Sequence, residues 1–363
     1  MSWFFPLGDN AQVHTVTLKA SGHRFDVAPG ETVLEAAQRA GIALPYSCQG
    51  GVCGSCKATL LQGACDYPRN PPVALSAAEQ VRHSILTCQA VPLGDITIAS
   101  REVASVEDIP RVRINVRVAR KERLAGDVIG LRLVPVHDTP LRWLPGQYLD
   151  IVLDDGKRRP FSIASSPADD HGIELHVRHV AGGGFTAYVD TTLAVGDTLE
   201  IEGPKGTFVP REDTERPMVF MAGGTGFAPI KAIVEHFLAL GTQREVTVYW
   251  GARVEPDLYD RERAEGWVAR HPGLRFIPVL SDADEARQVG MRAGLVHEAV
   301  LEDWPDLSGV DLYMSGPPAM IAASRERFVA AGLPEDHLYF DSFEYAPDVL
   351  ASILAARAGI HGL

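Results

Sequence analysis

Three cysteines crowd one short loop, Tyr46-Ser47-Cys48-Gln49-Gly50-Gly51-Val52-Cys53-Gly54-Ser55-Cys56, at the spacing C-x4-C-x2-C, and Cys88 follows in Leu86-Thr87-Cys88-Gln89. Three thiolates on a tight loop and a fourth from a distance can wrap a two-iron cluster, two ligands to each iron. Gly50, Gly51 and Gly54 let the loop take turns closed to other residues and aim N–H groups at the sulfurs. Zinc is the main alternative, although it usually takes two C-x2-C pairs or Cys/His mixtures. A thioredoxin-like pair would use Cys53 and Cys56 and leave Cys48 without a task. Cys65 reads as an ordinary small thiol rather than a ligand.

Two later stretches can also carry chemistry. In Arg159-Pro160-Phe161-Ser162, the arginine can fork onto a diphosphate. Phe161, two residues on, shares its face of a strand and can pack against a bound ring. Ser162 offers a hydroxyl to a ring nitrogen or carbonyl. In Gly182-Gly183-Gly184-Phe185-Thr186, glycines open a short helix, a cradle suited to a diphosphate. A solvated arginine and a plain glycine turn are the ordinary alternatives. A third stretch, Gly223-Gly224-Thr225-Gly226-Phe227-Ala228-Pro229, follows a buried strand and precedes a helix. It is not G-x-G-x-x-G, and alone it favours a nucleotide only slightly over a tight turn.

The elements that must position these residues fall into three grammars. Residues 1–103 alternate strands with one short helix, Thr32 to Gly41, which implies a small mixed sheet. Residues 108–212 hold short strand-like runs separated by turn signals such as Pro145-Gly146, Asp155-Gly156 and Gly203-Pro204, the pattern of an antiparallel barrel. Residues 215–345 alternate strand and helix, which predicts a parallel, doubly wound α/β sheet with ligands at the carboxyl ends of its strands. In residues 346–363, Val349, Leu350, Ile353, Leu354 and Ile360 space as an amphipathic helical tail, expected to pack on protein rather than on a membrane.

The chain has 363 residues and a net charge of −13, which argues against nucleic acid as a partner. Residues 1–105 carry 8 acidic and 7 basic side chains, residues 106–212 carry 16 and 14, and residues 213–363 carry 23 and 13. The acidity therefore sits in the last third, and the cysteine region is close to neutral. No apolar run reaches the roughly 18 residues of a membrane span. The opening Met1-Ser2-Trp3-Phe4-Phe5-Pro6 is brief and lacks a positive flank, so the expected compartment is the cytoplasm, where thiols stay reduced.

With these residues in view, the first unit resembles a plant-type [2Fe-2S] ferredoxin of the β-grasp fold. The R-x-[YF]-S motif of the second resembles the FAD-binding barrel of the ferredoxin–NADP reductase superfamily. Tyr313-Met314-Ser315-Gly316-Pro317-Pro318-Ala319-Met320 resembles the C-G-P-x-x-M segment of that superfamily's nicotinamide domain, with Ser315 in place of the cysteine. The order of domains resembles the single-chain reductases of bacterial oxygenases and the related CDP-6-deoxy-glucoseen reductases.

The resemblance implies that Cys48, Cys53, Cys56 and Cys88 ligate the cluster and that Arg159, with Pro160, holds the flavin diphosphate. Phe161 would pack on the flavin and Ser162 would bond near its N5. Gly183, Gly184 and Thr186 would add diphosphate contacts, and the backbone at His176, Val177 and Arg178 would line the flavin. Gly223, Gly224, Thr225, Gly226, Pro229, Gly316 and Pro317 would take the nicotinamide nucleotide, with Ser315 beside the nicotinamide and Phe343 over the flavin. Arg253 and Asp282 stand where a 2′-phosphate would be read. Asp282, helped by Asp284, would repel it, which favours NADH.

The implied activity is electron transfer from NADH through FAD to the cluster and on to a terminal oxygenase or its ferredoxin. The alternatives are a deoxysugar-pathway reductase, a flavin and iron–sulfur electron-transfer subunit fed by a partner, and a redox sensor.

Overall fold

The computed structural model describes residues 12–103, 106, 109–137, 141–169, 171–180 and 183–343; the tail at 346–363 lies outside them. The chain falls into two compact units, residues 1–108 and 109–363.

The first unit contains β1 (His14–Leu18), β2 (Arg24–Val27), α1 (Val33–Arg39), β3 (Lys57–Gln62), β4 (Cys65–Asp66), α2 (Ala77–Val81), β5 (Ser84–Leu86), β6 (Val91–Pro92) and β7 (Ile96–Ala99). Five strands pair in the order β2-β1-β7-β3-β5, and β4 and β6 form a separate ribbon. β1 and β7 run parallel while β2, β3 and β5 pair antiparallel, which makes the sheet mixed. Thr32 caps α1 by accepting from the Glu35 amide, and Glu35 returns a bond to the Thr32 amide. Val33, Leu34, Ala36 and Ala37 of α1 pack on Val16, Leu18, Phe25, Ile96 and Ile98 of the sheet.

In the second unit, β8 (Val112–Ala125), β9 (Val128–Pro135), β10 (Tyr148–Val152), β11 (Arg158–Ser162), β12 (Ile173–Arg178), α3 (Gly184–Thr191) and β13 (Thr198–Lys205) come first. Their order is β11-β10-β13-β8-β9-β12, and a bridge between Ile163 and Leu175 brings the two edges together into a barrel. Gly203 and Pro204 lie inside β13 rather than marking a turn. Gly203 is needed because a side chain there would strike Leu149 of β10, 2.9 Å from the position of its Cβ.

The remainder comprises β14 (Met218–Gly223), α4 (Phe227–Ala239), β15 (Val246–Ala252), α5 (Arg261–Arg270), β16 (Leu274–Leu280), α6 (Ala283–Val289), β17 (Arg292–Ala293), α7 (Val296–Asp303), β18 (Asp311–Gly316), α8 (Pro318–Ala330) and β19 (Leu338–Ser342). All pairings are parallel, in the order β17-β16-β15-β14-β18-β19. The chain starts at β14, winds outward through β15 and β16, then returns to β18 on the other side. The ends of β14 and β18 thus flank the switch point where such sheets open a crevice. Their residues are buried along their whole length, as expected of central parallel strands.

One charged cluster braces the barrel. Lys205 Nζ lies 2.7 Å from both Asp150 Oδ2 and Glu202 Oε1, and Arg158 Nη1 lies 2.5 Å from Glu202 Oε2. Burial pushes the Glu202 carboxyl up, but Lys205 and Arg158 outweigh it and hold the group at about 2. A carboxyl depressed on folding stabilises in full above its unfolded value of about 4.3, and the contribution fades as the pH falls through the folded value. Lys205→Met leaves Asp150 and Glu202 as neighbouring, largely buried anions, so we expect a loss of about 2–3 kcal/mol at pH 7. Thermal unfolding followed by circular dichroism should show the gap to wild type narrowing as the pH is lowered from about 4.5 towards 2.

Candidate functional site

The cysteine loop is shaped by main-chain conformation. Gln49, Gly51 and Gly54 all have positive φ, at 55°, 78° and 80°. Gly51 has no room for a side chain, because Gln89 Cγ lies 2.8 Å from where its Cβ would be. Gln89 fastens the loop by donating Nε2 to the Gln49 carbonyl at 2.8 Å, and it approaches Cys88 Sγ at 3.8 Å. The sulfurs gather in two pairs. Cys56 Sγ and Cys88 Sγ are 3.2 Å apart and buried, and Cys48 shares a hydrogen bond with Cys53.

In each pair one sulfur becomes the better thiolate. Cys48 is drawn down to about 6 by Cys53, against burial, with the amides of Val52, Cys53 and Gly50 assisting. Cys53 is pushed up by Cys48 and by burial. Cys88 is lowered by Cys56, and Cys56 is raised in turn by Cys88 and by burial. Two sulfur pairs under converging amides suit two metal ions with two protein ligands each, and the thiolate is the ligating form. Cys65 lies on β4, where burial alone pushes its thiol up to about 11, so it stays protonated.

The R-x-[YF]-S motif occupies β11. Arg159 and Phe161 share one face of the strand. Arg159 Nη1 donates to the Arg158 carbonyl at 3.0 Å. Phe161 tilts against Phe185 at 5.8 Å, and Phe185 belongs to α3. Pro160 is exposed. Gly183 N-caps α3, and Gly184 begins it. The Thr186 hydroxyl accepts from the Val180 amide at 3.1 Å and donates to the Gly183 carbonyl, also at 3.1 Å, so it shapes the glycine turn itself. Ser162 Oγ donates to Asp341 Oδ2 on β19 at 3.3 Å. This contact ties the R-x-[YF]-S motif to the α/β sheet, and the spacing of the sequence gives no sign of it.

At the switch point the glycines of β14 and β18 meet main chain to main chain. A Cβ on Gly226 would lie 2.1 Å from the Ser315 carbonyl oxygen. One on Gly223 would lie 2.6 Å from Met320 Sδ and 3.0 Å from Pro317 Cδ. Gly316, at φ 150°, would meet Gly223 within 3.0 Å. Thr225 lies in the single turn Gly224–Gly226, and Pro229 lies in the first turn of α4, where a missing N–H costs nothing. Ser315 is fully buried, and its Oγ has no hydrogen-bond partner among the described residues. Phe343 is half-buried, with its amide on the Gly316 carbonyl at 3.0 Å.

Arg178 departs from the sequence-based picture, which used only its backbone. Its guanidinium lies over the Gly224–Gly226 turn, Nη1 3.1 Å from where a Gly224 Cβ would be. Asp127 Oδ2 is 3.4 Å from its Nε, while Nη2 is buried without a hydrogen-bond partner among the described residues. Val177 and the fully buried side chain of His176 lie beside it on β12.

Arg253 and Asp282 are brought together: the Asp282 amide donates to the Arg253 carbonyl at 3.0 Å. The Asp282 carboxylate caps α6 by accepting from the Asp284 and Glu285 amides, both at 3.1 Å. Asp284 is engaged by Arg287, which reduces the repulsion expected of it.

Three domain families match stretches of the chain. Residues 16–93 match the 2Fe-2S iron-sulfur cluster binding domain, residues 115–209 the oxidoreductase FAD-binding domain and residues 220–326 the oxidoreductase NAD-binding domain. The chain is 38% identical over 330 residues to the CDP-6-deoxy-L-threo-D-glycero-4-hexulose-3-dehydrase reductase of Yersinia pestis, covering 90% of this chain and 98% of that one. It is 37% identical over 334 residues to the reductase subunit of an aromatic O-demethylase of Amycolatopsis, covering 91% and 98%. The crystal structure of an Amycolatopsis cytochrome P450 reductase aligns with a TM-score of 0.71 at 36% identity, covering 91% and 98%.

The two sulfur pairs generate a direct test. Cys88→Ser should lose or badly distort the visible absorbance of the cluster, with iron falling below two per chain. Cys65→Ser should retain both, and loss of the cluster there would refute the ligand assignment.

Proposed function

Since the chain belongs to the family of single-chain reductases that join a [2Fe-2S] ferredoxin domain, an FAD-binding domain and an NAD-binding domain, we propose that its terminal acceptor is the oxygenase component, or the associated ferredoxin, of a bacterial oxygenase system. The protein is an oxidoreductase that carries electrons from NADH through FAD to the cluster. FAD, when bound, takes two electrons as hydride and releases them singly to a cluster that accepts one.

The observation that carries the acceptor is the likeness to the Amycolatopsis O-demethylase reductase subunit and cytochrome P450 reductase, and what supports the NADH-to-FAD step is the bond from Ser162 on β11 to Asp341 on β19. It draws the flavin motif up to the strand beside the Ser315–Pro317 turn, so that flavin and nicotinamide can meet face to face. In this reading Cys48 and Cys53 hold one iron and Cys56 and Cys88 the other. Arg159 and the Gly183–Thr186 turn hold the flavin diphosphate, Phe161 packs on the flavin, and Ser162 bonds near N5. The Gly223–Gly226 turn, with the Arg178 guanidinium above it, holds the nicotinamide nucleotide. Ser315 keeps a small hydroxyl beside the nicotinamide, and Phe343 covers the flavin until the nucleotide arrives. Assembly of a cluster on four thiolates needs a reducing compartment, and in this reading that compartment is the cytoplasm.

A second reading, delivery to a deoxysugar dehydrase, is favoured by the Yersinia relative, whose 38% identity stands beside 37% for the O-demethylase subunit. Reconstitution with purified acceptor proteins decides between them: sustained NADH consumption coupled to hydroxylation supports the first, and turnover only with a dehydrase the second. A redox sensor would bleach with NADH and pass electrons to neither.

Removing residues 1–105 should leave an FAD protein that NADH reduces and that passes electrons to ferricyanide, but not to the natural acceptor. Undiminished delivery by the truncated chain would overturn the serial order.

For the nucleotide, we expect kcat/KM for NADH to exceed that for NADPH at least tenfold, the equivalent of about 1.4 kcal/mol. Asp282→Asn keeps the cap on α6 while removing the charge, and should narrow the ratio mainly by improving NADPH. A wild-type preference for NADPH would end the argument.

A further inference from the structure

The barrel and the nicotinamide domain meet along one face of β12. Glu174, His176 and Arg178 alternate along the strand and so share a face, while Leu175 and Val177 are buried with the barrel core. Glu174 Oε2 takes Lys231 Nζ from α4 at 3.1 Å. Lys231 is 1% exposed and also reaches the Ala164 carbonyl at 3.1 Å and Glu235 Oε2 at 3.2 Å. His176 lies between Glu174 Oε1, 2.8 Å from its Nε2, and the Tyr259 hydroxyl, 2.9 Å from its Nδ1.

From Tyr259 the contacts lead back to the nucleotide turn. Its ring stands edge-on to Trp250 at 5.1 Å. Trp250 stacks on Phe227 at 3.7 Å and donates its indole N–H to the Gly224 carbonyl at 3.0 Å. The chain of contacts is therefore closed: turn, Trp250, Tyr259, His176, Glu174, Lys231, α4 and the turn again.

The donors and acceptors are ordered as well as near. Burial raises the Glu174 carboxyl, but His176 and Lys231 outweigh it and keep the group well below the usual range, so it can only accept. Nε2 of His176 therefore carries a proton, and Nδ1 shares a hydrogen bond with the Tyr259 hydroxyl. Burial pushes the Tyr259 phenol well above its ordinary value, so its proton stays available to donate.

We propose that Tyr259 is a positioning residue for the NADH–flavin reaction: through His176 it locks the flavin-side strand to the nucleotide turn, setting the two rings in register and letting each site sense occupancy of the other. The proposal rests on the reading that β12 lines the flavin and the Gly224 turn holds the nucleotide. Plain glue between domains would lose stability and cofactor together. A positioning residue loses alignment, and displacements on the ångström scale slow a reaction strongly.

Tyr259→Phe removes one hydroxyl and keeps the ring between His176 and Trp250. In the full-length holoenzyme, anaerobic bleaching of the flavin by NADH should slow about tenfold, with the NADH Kd within about twofold of wild type. A second measurement needs no turnover. Saturating ADP-ribose should slow release of FAD from wild type at least fivefold, and from Tyr259→Phe less than twofold. Glu174→Gln should act on the same unit, so the double variant should be no slower than the slower single one.

A wild-type bleaching rate and wild-type ADP-ribose effect in Tyr259→Phe would overturn the proposal. So would a variant that merely melts earlier and releases FAD faster while the ADP-ribose factor persists. If NADH fails to bleach wild type, the functional reading falls, and the ADP-ribose factor still decides the role of Tyr259.

Discussion

The second unit depends on a contact that contains no side chain. At the ends of β14 and β18 two turns pass so close that Gly226 faces the Ser315 carbonyl where a Cβ would stand, and Gly316 faces Gly223 in the same way. Any side chain there would force the strands apart at the switch point. The register of the parallel pair, Met218 with Asp311 through Ala222 with Ser315, brings the turns level. Below, Asp311 is fully buried and held by Arg244 at 2.5 Å and His337 at 2.6 Å, which fixes the other end of the strand. The crevice is thus a consequence of pairing at the base and of glycine at the top.

The barrel is set against this crevice by contacts of the same economy. Gly146 allows the Phe208 carbonyl and Ile233 of α4 to approach within 2.1 Å and 2.8 Å of its missing Cβ. Gln147 is buried and bridges the Leu144 amide and the Gly206 carbonyl. Around this apolar seam the charged groups are satisfied in sets. Glu174 alone receives Arg132, Lys231 and His176. Buried ions gain little net stability over apolar residues of equal volume, because desolvation consumes most of their attraction. What the set around Glu174 does show is one carboxylate holding groups from β9, β12 and α4 together.

The first unit solves a different problem, that of presenting four sulfurs with little help from charge. Its acidic and basic residues nearly balance. Cys48 is met instead by the amides of Gly50, Val52 and Cys53, in a loop turned by positive φ angles at Gln49, Gly51 and Gly54. Gln89, next to Cys88, reaches back to the loop carrying the other three cysteines and joins Cys88 to it.

What the sequence determined by itself is what rests on spacing and on main-chain freedom. The C-x4-C-x2-C loop, the glycine turn after β14, the R-x-[YF]-S motif on β11 and the change from barrel strands to alternating strand and helix were all legible, because each is local. The short helix between Thr32 and Gly41 was legible for the same reason. Gly203-Pro204 misled because a glycine demanded by close packing inside a strand looks like a glycine demanded by a turn.

Only the tertiary structure decided the partners of polar side chains. Ser162 meets Asp341 across 179 positions, His176 meets Tyr259 across 83, and Lys231 meets Glu174 across 57. Weak signs existed: a lysine among Ile230, Ala232 and Ile233, and a polar residue at every second position from Glu174 to Arg178. They showed that something must pair there, but not with what. Asp282 shows the same limit, since a helix cap and a carboxylate that repels phosphate are one residue in one place. A polar group's task is set by what shields it from water and what then satisfies it, and both come from parts of the chain that only folding brings near.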